Sequence, residues 1–277
     1  MTDATTPRPD TSPGFVRAIG RWDLSAAVIN GVIGSGIFGL PAVLAALTGV
    51  LSPLAALAAG GGILLIVLCF AEVGSRFREH GGVYLYARAA YGPLVGFEVG
   101  WLLIWTRLLS AAANLNLFVL YLGELWPELA IGAPRAIVMT ALVATIAVTN
   151  VVGVRSATWS IDAFTIAKLV PLALLIVLGL PQVDGEVIAT QAVADPDWTQ
   201  AVLVMMFAFG GFESALLPAG EMRDPKRDIG FALLVGLAVI ATVYLLVQLV
   251  VIGTVAHAGE TKAPLAQALG VLLGPPG

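Results

Sequence analysis

The chain has 277 residues, of which 58% are hydrophobic and 12% are charged, whereas a soluble globular domain has about 25% charged residues. This composition excludes an ordinary soluble domain and indicates an integral membrane protein. The formal net charge of −4 is small and no basic stripe with interleaved aromatic residues occurs, so we expect no nucleic-acid partner. With one cysteine, Cys69, and two distant histidines, we expect no intrachain disulfide, no metal ion and no other cofactor.

The first 22 residues are polar and proline-rich, so we expect a disordered cytoplasmic tail at positions 1–22 and a transmembrane domain at positions 23–277. Within that domain, stretches of roughly 18 or more apolar residues predict membrane-spanning helices. There are seven: 24–47, 51–73, 93–123, 135–153, 159–180, 198–219 and 229–255. The sequence therefore predicts an all-α polytopic membrane protein.

Lysine and arginine are concentrated in the loops that fall on one side of this arrangement. These loops and the N-terminal segment contain Arg8, Arg17, Arg21, Arg76, Arg78, Arg88, Arg155, Arg223, Lys226 and Arg227. The opposite loops contain Arg135 and Lys262, and the loop after the fifth span is acidic. Because positively charged loops stay in the cytoplasm, we expect a multi-pass protein of the cell membrane with a cytoplasmic N-terminus.

Two glycine-rich segments, Gly31–Gly36 and Phe209–Phe212, interrupt the first and sixth spans near mid-depth. Ser35 lies eleven residues beyond Leu24, about 17 Å into a hydrocarbon core about 30 Å thick. A helix broken in lipid leaves backbone groups unpaired unless they line a cavity or bind a ligand. Small residues more often mediate close helix packing, and Gly31 and Ser35 have the spacing for it. Because the two spans run in opposite directions, the paired breaks favour a transport site.

The two breaks offer complementary groups to an α-amino acid. At the first, N–H groups around Gly34, Ser35 and Gly36 can face a carboxylate at the positive end of the following half-helix. At the second, carbonyl groups around Phe207 and Gly210 can accept hydrogen bonds from an ammonium group. We therefore expect an amino acid as the substrate.

Three ionisable residues lie at membrane depth, where charge is expensive and usually functional. Lys168 lies about nine residues into the fifth span, and a lysine removed from water exchanges its proton more readily. The alternative for Lys168 is a permanently charged brace for the first span. Glu213 directly follows the second break, so we expect it to stabilise that break. Arg107, in the third span, either pairs with Glu213 or lines the pathway.

Motifs in a matching order are similar to those of the amino acid-polyamine-organocation (APC) permeases. They are Gly31 to Phe38 followed by Leu40-Pro41, His80 to Arg88, Phe209 to Ser214, and Gly220 to Arg227. The resemblance runs from about residue 20 to the end. It implies a LeuT-type bundle of two inverted five-helix repeats, usually within about twelve spans, that transports amino acids or related amines by alternating access. The first repeat would occupy about 23–181 and an incomplete second repeat about 197–277, which predicts a C-terminally truncated permease.

The resemblance also implies roles for single residues. The substrate carboxylate would be bound by Ile33, Gly34, Ser35, Gly36 and Ile37. The ammonium would be held, and the side chain covered, by Phe207, Ala208, Phe209, Gly210 and Gly211. Phe207 would be an aromatic gate, or else an ordinary lipid-facing or core phenylalanine. The uncharged residues of both segments favour a neutral or apolar substrate. Lys168 resembles a residue that replaces a sodium ion in proton-coupled members, bracing the first span and shuttling the proton.

Other interpretations stay open from the sequence. A seven-helix receptor or retinal protein fits the number of spans, with Lys168 as a Schiff-base lysine, although the cytoplasmic N-terminus and the mid-chain position of Lys168 argue against it. A nonfunctional or regulatory permease fragment is another alternative, and so is a homo-oligomer. No catalytic or phosphate-binding motif occurs, so we do not expect an enzyme. These residues do not decide between coupling to protons and exchange of one amino acid for another.

Overall fold

The computed structural model describes residues 19–274 apart from 78, 80, 153 and 218–220, with the backbone alone described at 149, 150, 152 and 154–166. This part of the chain is helical, which confirms the predicted fold class. The α-helices in chain order are α1 Arg21–Val32, α2 Gly36–Thr48, α3 Ser52–Gly74, α4 Gly82–Tyr91, α5 Pro93–Leu125, α6 Gly132–Val152, α7 Val154–Gly179, α8 Gly185–Ala189, α9 Trp198–Ala208, α10 Pro225–Thr254 and α11 Pro264–Leu273.

Five of the predicted spans each fall on one helix, and the first and sixth are interrupted. The first span is divided between α1 and α2. The sixth is divided between α9 and the 3₁₀ turn Phe212–Leu216, which is called here the 212–216 turn. The remaining predicted spans correspond to α3, α5, α6, α7 and α10.

Four helical stretches are long and apolar enough to cross a membrane, judged by length and composition in the described residues. They are Gly36–Gly74, Pro93–Leu125, Trp198–Leu216 and Pro225–Thr254. α6 and α7 contain 21 and 26 residues, but their apolar parts with described side chains, 132–148 and 167–182, are shorter. The seven spans predicted from the sequence are therefore largely helical. Four helical stretches of the described residues also meet the requirement of length and hydropathy for crossing a membrane.

The stretch Gly36–Gly74 contains two helices, because the chain turns at Gly49. Gly49 has φ +55°, a backbone conformation that favours glycine. A Cβ atom at this position would also lie 2.0 Å from the carbonyl oxygen of Gln191. The turn therefore requires glycine both for its conformation and for the loop that packs against it.

α10 is the central helix of the core, and it packs against α1, α2, α3 and α7. Its approach to α1 is close at Gly236, where a Cβ atom would lie 2.5 Å from Cγ1 of Val28. By contrast, α5 buries just two of its 33 residues, Gly96 and Val119. The buried core thus surrounds α10 and the two interrupted spans, while α5 lies at its edge.

The folded chain begins before the predicted end of the N-terminal tail. Ile19 pairs with Met222 in an isolated parallel bridge, and α1 begins at Arg21. The ring of Trp22 packs edge-on against Phe231, with ring centres 5.1 Å apart. Residues 19–22 therefore belong to the folded domain, and residues 1–18 of the predicted tail lie outside the described residues.

Candidate functional site

The first break separates α1 from α2. α1 ends at Val32, and Ile33 has φ −68° and ψ 85°, close to the values of an inverse γ-turn. The Gly34 N–H accordingly donates to the Val32 carbonyl over 2.7 Å. The first N–H groups of a helix have no partner within it. Those of Gly36 and Ile37, at the start of α2, form no hydrogen bond within the described part of the chain, so they are available to a ligand.

Lys168 of α7 holds the carbonyl side of the first break. Its Nζ donates to the carbonyl oxygens of Asn30, over 2.7 Å, and Ile33, over 2.6 Å. These oxygens lie at the C-terminal end of α1, where the helix dipole favours a positive charge. Hydrogen bonds from an ammonium group are roughly twice as strong as those between neutral groups. The shape of the first break therefore depends on a side chain from a distant part of the sequence.

The second break follows α9 and is held mainly by its own segment. Gly211 has φ +115°, which favours glycine. Its N–H donates to Oε2 of Glu213 over 2.8 Å, and Oγ of Ser214 donates to its carbonyl over 2.5 Å. Both backbone groups of Gly211 are thus paired with side chains two and three residues further along the chain.

The two breaks lie in direct contact. A Cβ atom at Gly211 would lie 2.5 Å from the carbonyl oxygen of Gly31, and one at Gly31 would lie 3.0 Å from Oγ of Ser214. At Gly36, a Cβ atom would lie 3.4 Å from that of Ala208. The glycines therefore serve both purposes that the sequence suggested, since they interrupt the helices and also let their backbones pack closely.

Tyr244 of α10 joins the two breaks, and sequence reasoning missed it. Its side chain is buried, and its hydroxyl lies 2.9 Å from the carbonyl oxygen of Ala208 and 3.3 Å from that of Val32. Its ring packs against Phe209 with ring centres 5.1 Å apart. The Phe209 ring also faces α3, where a Cβ atom at Gly60 would lie 3.5 Å from it, an ordinary contact distance.

Gln248 lies one helical turn after Tyr244 and holds α2. Its Nε2 donates to the carbonyl oxygen of Pro41 over 3.1 Å and to Oγ of Ser52 over 2.9 Å. Gln248 and Tyr244 also line a cavity of about 10 Å³ between α2, α9 and α10, about the room that one water molecule needs. The spacing of these two polar residues in an apolar helix is the signal that could have revealed them, since positions i and i+4 share a face.

Arg107 of α5 pairs with Glu213. Its guanidinium lies 3.0 Å from Oε1 of the carboxylate, while the other oxygen, Oε2, accepts the Gly211 N–H. The pair lines a mostly apolar cavity of about 390 Å³ between α4, α5 and the 212–216 turn. Of the two alternatives for Arg107, pairing with Glu213 is present in the structure, and the pair also faces this cavity.

The residues predicted to bind the substrate differ in exposure. Ile33, Ile37, Ala208 and Phe209 are buried. Gly34, Ser35, Gly36 and Gly211 are partly exposed, and Gly210 is exposed. The side chain of Phe207 is 68% exposed, so it does not cover the breaks within the described part of the chain, while its carbonyl accepts the Gly210 N–H over 3.0 Å.

The His80 to Arg88 motif packs against the segment that follows the second break. His80 lies outside the described residues, while Gly81 and Gly82 both have positive φ values and lead into α4. A Cβ atom at Gly82 would lie 3.2 Å from the side chain of Leu217, just after the 212–216 turn. The buried hydroxyl of Tyr86 has no hydrogen-bond partner among the described residues, and burial raises the pKa of Tyr86.

Comparison with protein families identifies the class of protein. A family described as amino acid permease matches residues 19–274, a range that includes both breaks and Lys168. The chain belongs to the amino acid permease family. Membership confirms the resemblance carried by the sequence motifs.

Three curated relatives show the range of this permease family. The serine/threonine exchanger SteT of Bacillus subtilis is 30% identical, over 85% of this chain and 54% of the relative. A putative arginine/ornithine antiporter of Escherichia coli is 31% identical, over 87% of this chain and 56% of the relative. The cationic amino acid transporter 9, chloroplastic, of Arabidopsis thaliana is 28% identical, over 95% and 50%. The chain thus spans about half the length of these curated relatives.

Family membership also distinguishes the permease interpretation from the receptor, retinal-protein and enzyme interpretations. The relatives are named as exchangers, antiporters and transporters, not as enzymes. The permease interpretation is therefore favoured over a seven-helix receptor or a retinal protein.

Proposed function

We propose that the protein is a secondary active transporter that moves amino acids across the cell membrane by alternating access, with its N-terminus in the cytoplasm. The observation that carries this proposal is the direct contact between two helix breaks at Gly31 and Gly211. Broken helices at membrane depth are tolerated where their freed backbone groups line a cavity or bind a ligand. Membership of the amino acid permease family supports the same activity.

Both ends of an α-amino acid would find partners between the breaks. The carboxylate would accept hydrogen bonds from the free N–H groups of Gly36 and Ile37 at the N-terminus of α2. The ammonium would donate to the carbonyls of Phe207 and Gly210. The Phe207 carbonyl already accepts one hydrogen bond, from Gly210, but a carbonyl oxygen has two lone pairs. The substrate would thus link the two halves of the site.

A neutral or apolar side chain fits the residues beside these groups. Ile33, Ile37 and Phe209 are buried and uncharged, and the charges of Arg107 and Glu213 are paired with each other. The named substrates of the relatives include both neutral and cationic amino acids. The choice of a neutral substrate therefore rests on this chain's own residues.

Lys168 would couple transport to protons. In its charged form the ammonium holds the Asn30 and Ile33 carbonyls by charge-assisted hydrogen bonds. Loss of the proton would weaken both bonds at once and release the end of α1. Protonation would thereby be linked to the shape of the first break, which is the link that a proton-driven carrier needs. Exchange of one amino acid for another is the alternative, and it would not need this titration.

Uptake of radiolabelled amino acids into proteoliposomes tests the proposal, with the product of the complete reading frame that carries this chain. We expect accumulation of a neutral amino acid that increases when a proton gradient is imposed. Lys168→Gln should abolish the effect of the gradient, and the matched control Lys226→Gln, an exposed lysine at the start of α10, should retain it. Full gradient-driven uptake by Lys168→Gln would refute the proton role. No uptake of any amino acid would refute the transport proposal.

A further inference from the structure

A charged depression lies where α1 and α10 begin, away from the two breaks. It has a volume of about 540 Å³ and is lined by three arginines and three aspartates: Arg21, Arg223, Arg227, Asp23, Asp224 and Asp228. Because both helices start here, the positive ends of two helix dipoles lie beside the depression. In the topology predicted from the sequence, both helices would enter the membrane from the side on which this depression lies.

The backbone fixes the two sides of this depression relative to each other. The Ile19 N–H donates to the carbonyl of Glu221 over 3.1 Å, and the Arg223 N–H donates to the carbonyl of Ile19 over 3.0 Å. This bridge holds the chain before α1 against the chain before α10. Arg21 and Arg223 are therefore brought to one depression by the fold, although they are about 200 residues apart in the sequence.

Arg223 and Arg227 have no side-chain partner in the described part of the chain and are free to bind a ligand, whereas the guanidinium of Arg21 lies over the Phe231 ring, 5.2 Å from its centre. Asp23 accepts the Gly20 N–H over 3.0 Å, and Asp228 accepts the Asp224 N–H over 3.2 Å. Two of the three carboxylates are thus partly engaged by backbone groups. Arg21, Arg223 and Arg227 are exposed, and none of them takes part in an ion pair within the described residues.

The third carboxylate and a neighbouring tryptophan define the ligand further. Asp224 precedes α10 without forming a side-chain cap, so its carboxylate can accept a hydrogen bond from a cation. Trp22 is 65% exposed beside the depression, and exposed tryptophans are enriched where membrane helices meet the polar headgroups. The depression therefore brings together guanidinium groups, a carboxylate and an exposed aromatic ring.

We propose that this depression binds the headgroup of a phospholipid that carries a primary ammonium group, such as phosphatidylethanolamine. Its phosphate would lie on Arg223 and Arg227, because guanidinium groups and helix N-termini both bind phosphate. Its ammonium would donate to Asp224. Equal numbers of arginines and aspartates suit a zwitterionic headgroup better than an anionic one. This site is separate from the proposed amino-acid site, and it does not depend on transport.

Lipid binding to the purified full-length protein in detergent tests this site. The rise in unfolding temperature is measured while phosphatidylethanolamine, phosphatidylglycerol, phosphatidylcholine or soluble glycerophosphoethanolamine is added. We expect phosphatidylethanolamine to bind about tenfold more tightly than the other two lipids, and more tightly than the soluble phosphate ester. Arg223→Gln and Arg227→Gln should each weaken its binding about tenfold.

Two further variants make the test specific. Lys226→Gln removes one positive charge from the position directly before Arg227, which does not line the depression. The affinity of this variant for phosphatidylethanolamine should stay within about twofold of the original. Asp224→Asn should remove the preference for phosphatidylethanolamine over phosphatidylglycerol while both still bind. Loss of this preference in Asp224→Asn, with lipid binding retained, would show that the carboxylate recognises the ammonium group.

Three outcomes would overturn the proposal. The first is unchanged phosphatidylethanolamine binding by both arginine variants, and the second is tighter binding of phosphatidylglycerol than of phosphatidylethanolamine. The third is equal binding of soluble glycerophosphoethanolamine, which would indicate a site for a free phosphate ester. Because all these substitutions lie at exposed or partly exposed positions, unfolding without added lipid should change little, and amino-acid uptake is measured separately.

Discussion

The first break is held by side chains from other helices, whereas the second is held largely by residues of its own segment. At the first, Lys168 of α7 pairs the carbonyls of Asn30 and Ile33. At the second, Glu213 and Ser214 pair the two backbone groups of Gly211. A break held from a distance changes when another helix moves or changes charge, while a break held locally keeps its shape as its segment moves. The comparison suggests that the first break is the adjustable half of the site.

The contact between the two breaks should be the most sensitive point of the molecule. Gly211→Ala would place a Cβ atom 2.5 Å from the Gly31 carbonyl at a residue with φ +115°. Overpacking and a left-handed conformation for alanine together should destabilise the protein by about 2–4 kcal/mol. The unfolding temperature in detergent and the rate of amino-acid uptake should both decrease.

Gly61→Ala is the matched control for that substitution, because no atom lies within 4 Å of its Cβ position. It should unfold and transport like the original protein. If Gly211→Ala behaves in the same way as Gly61→Ala, the two breaks do not need to touch.

Removal of the lysine should loosen the first break and leave the second unchanged. Lys168→Met leaves the Asn30 and Ile33 carbonyls without their charged donor, at a cost of about 2–3 kcal/mol. Hydrogen exchange should accelerate in residues 29–36 and stay unchanged in the 212–216 turn. Equal acceleration in both regions would contradict the view that the lysine holds one break alone, and Lys226→Met should change neither.

Removal of the shared hydroxyl should affect both breaks, and the second more than the first. Tyr244→Phe takes a donor from the Ala208 and Val32 carbonyls, although Val32 keeps its bond from the Gly34 N–H. We expect a loss of about 1–2 kcal/mol, measured by unfolding, with faster exchange on both sides. Tyr91→Phe, at an exposed tyrosine of α4, is the control. Acceleration confined to one break would show that the hydroxyl serves that break alone.

The smallest effect is expected at the charge of the second break. Glu213→Gln retains an oxygen for the Gly211 N–H but loses the ion pair with Arg107. Because the arginine is about half exposed, we expect a loss of about 1 kcal/mol or less. A double-mutant cycle with Arg107→Gln should assign that loss to the pair. Additive effects would mean that the two charges act independently.

The sequence predicted the breaks because two glycine clusters interrupt apolar spans that run in opposite directions, a pairing that helix packing alone does not explain. It also drew attention to Lys168, since a charge in an apolar span is conspicuous. It did not predict Tyr244 or Gln248, because one hydroxyl and one amide barely lower the hydropathy of a span. Phe207 was expected at the site and is exposed. α9 is apolar around most of its circumference, so its sequence did not specify which side faces the core.

The pair of Arg107 and Glu213 was also only partly predictable from the sequence. Arg107 and Glu213 are 106 residues apart, and the need to neutralise charge in lipid suggested their pairing without excluding other partners. The two oxygens of Glu213 are divided between Arg107 and the Gly211 N–H. That division depends on the direction in which a turn presents its side chain, which hydropathy and spacing do not encode.

Tyr244 has a single hydroxyl proton and two carbonyl oxygens within reach, on Ala208 and Val32. A hydroxyl donates one hydrogen bond at a time. When one half-helix moves away, the hydroxyl can rotate and donate to the other carbonyl oxygen, and the number of hydrogen bonds that Tyr244 donates stays the same. The hydroxyl can therefore stay hydrogen-bonded to either half-helix with little change in enthalpy, so it does not fix the two half-helices in one arrangement.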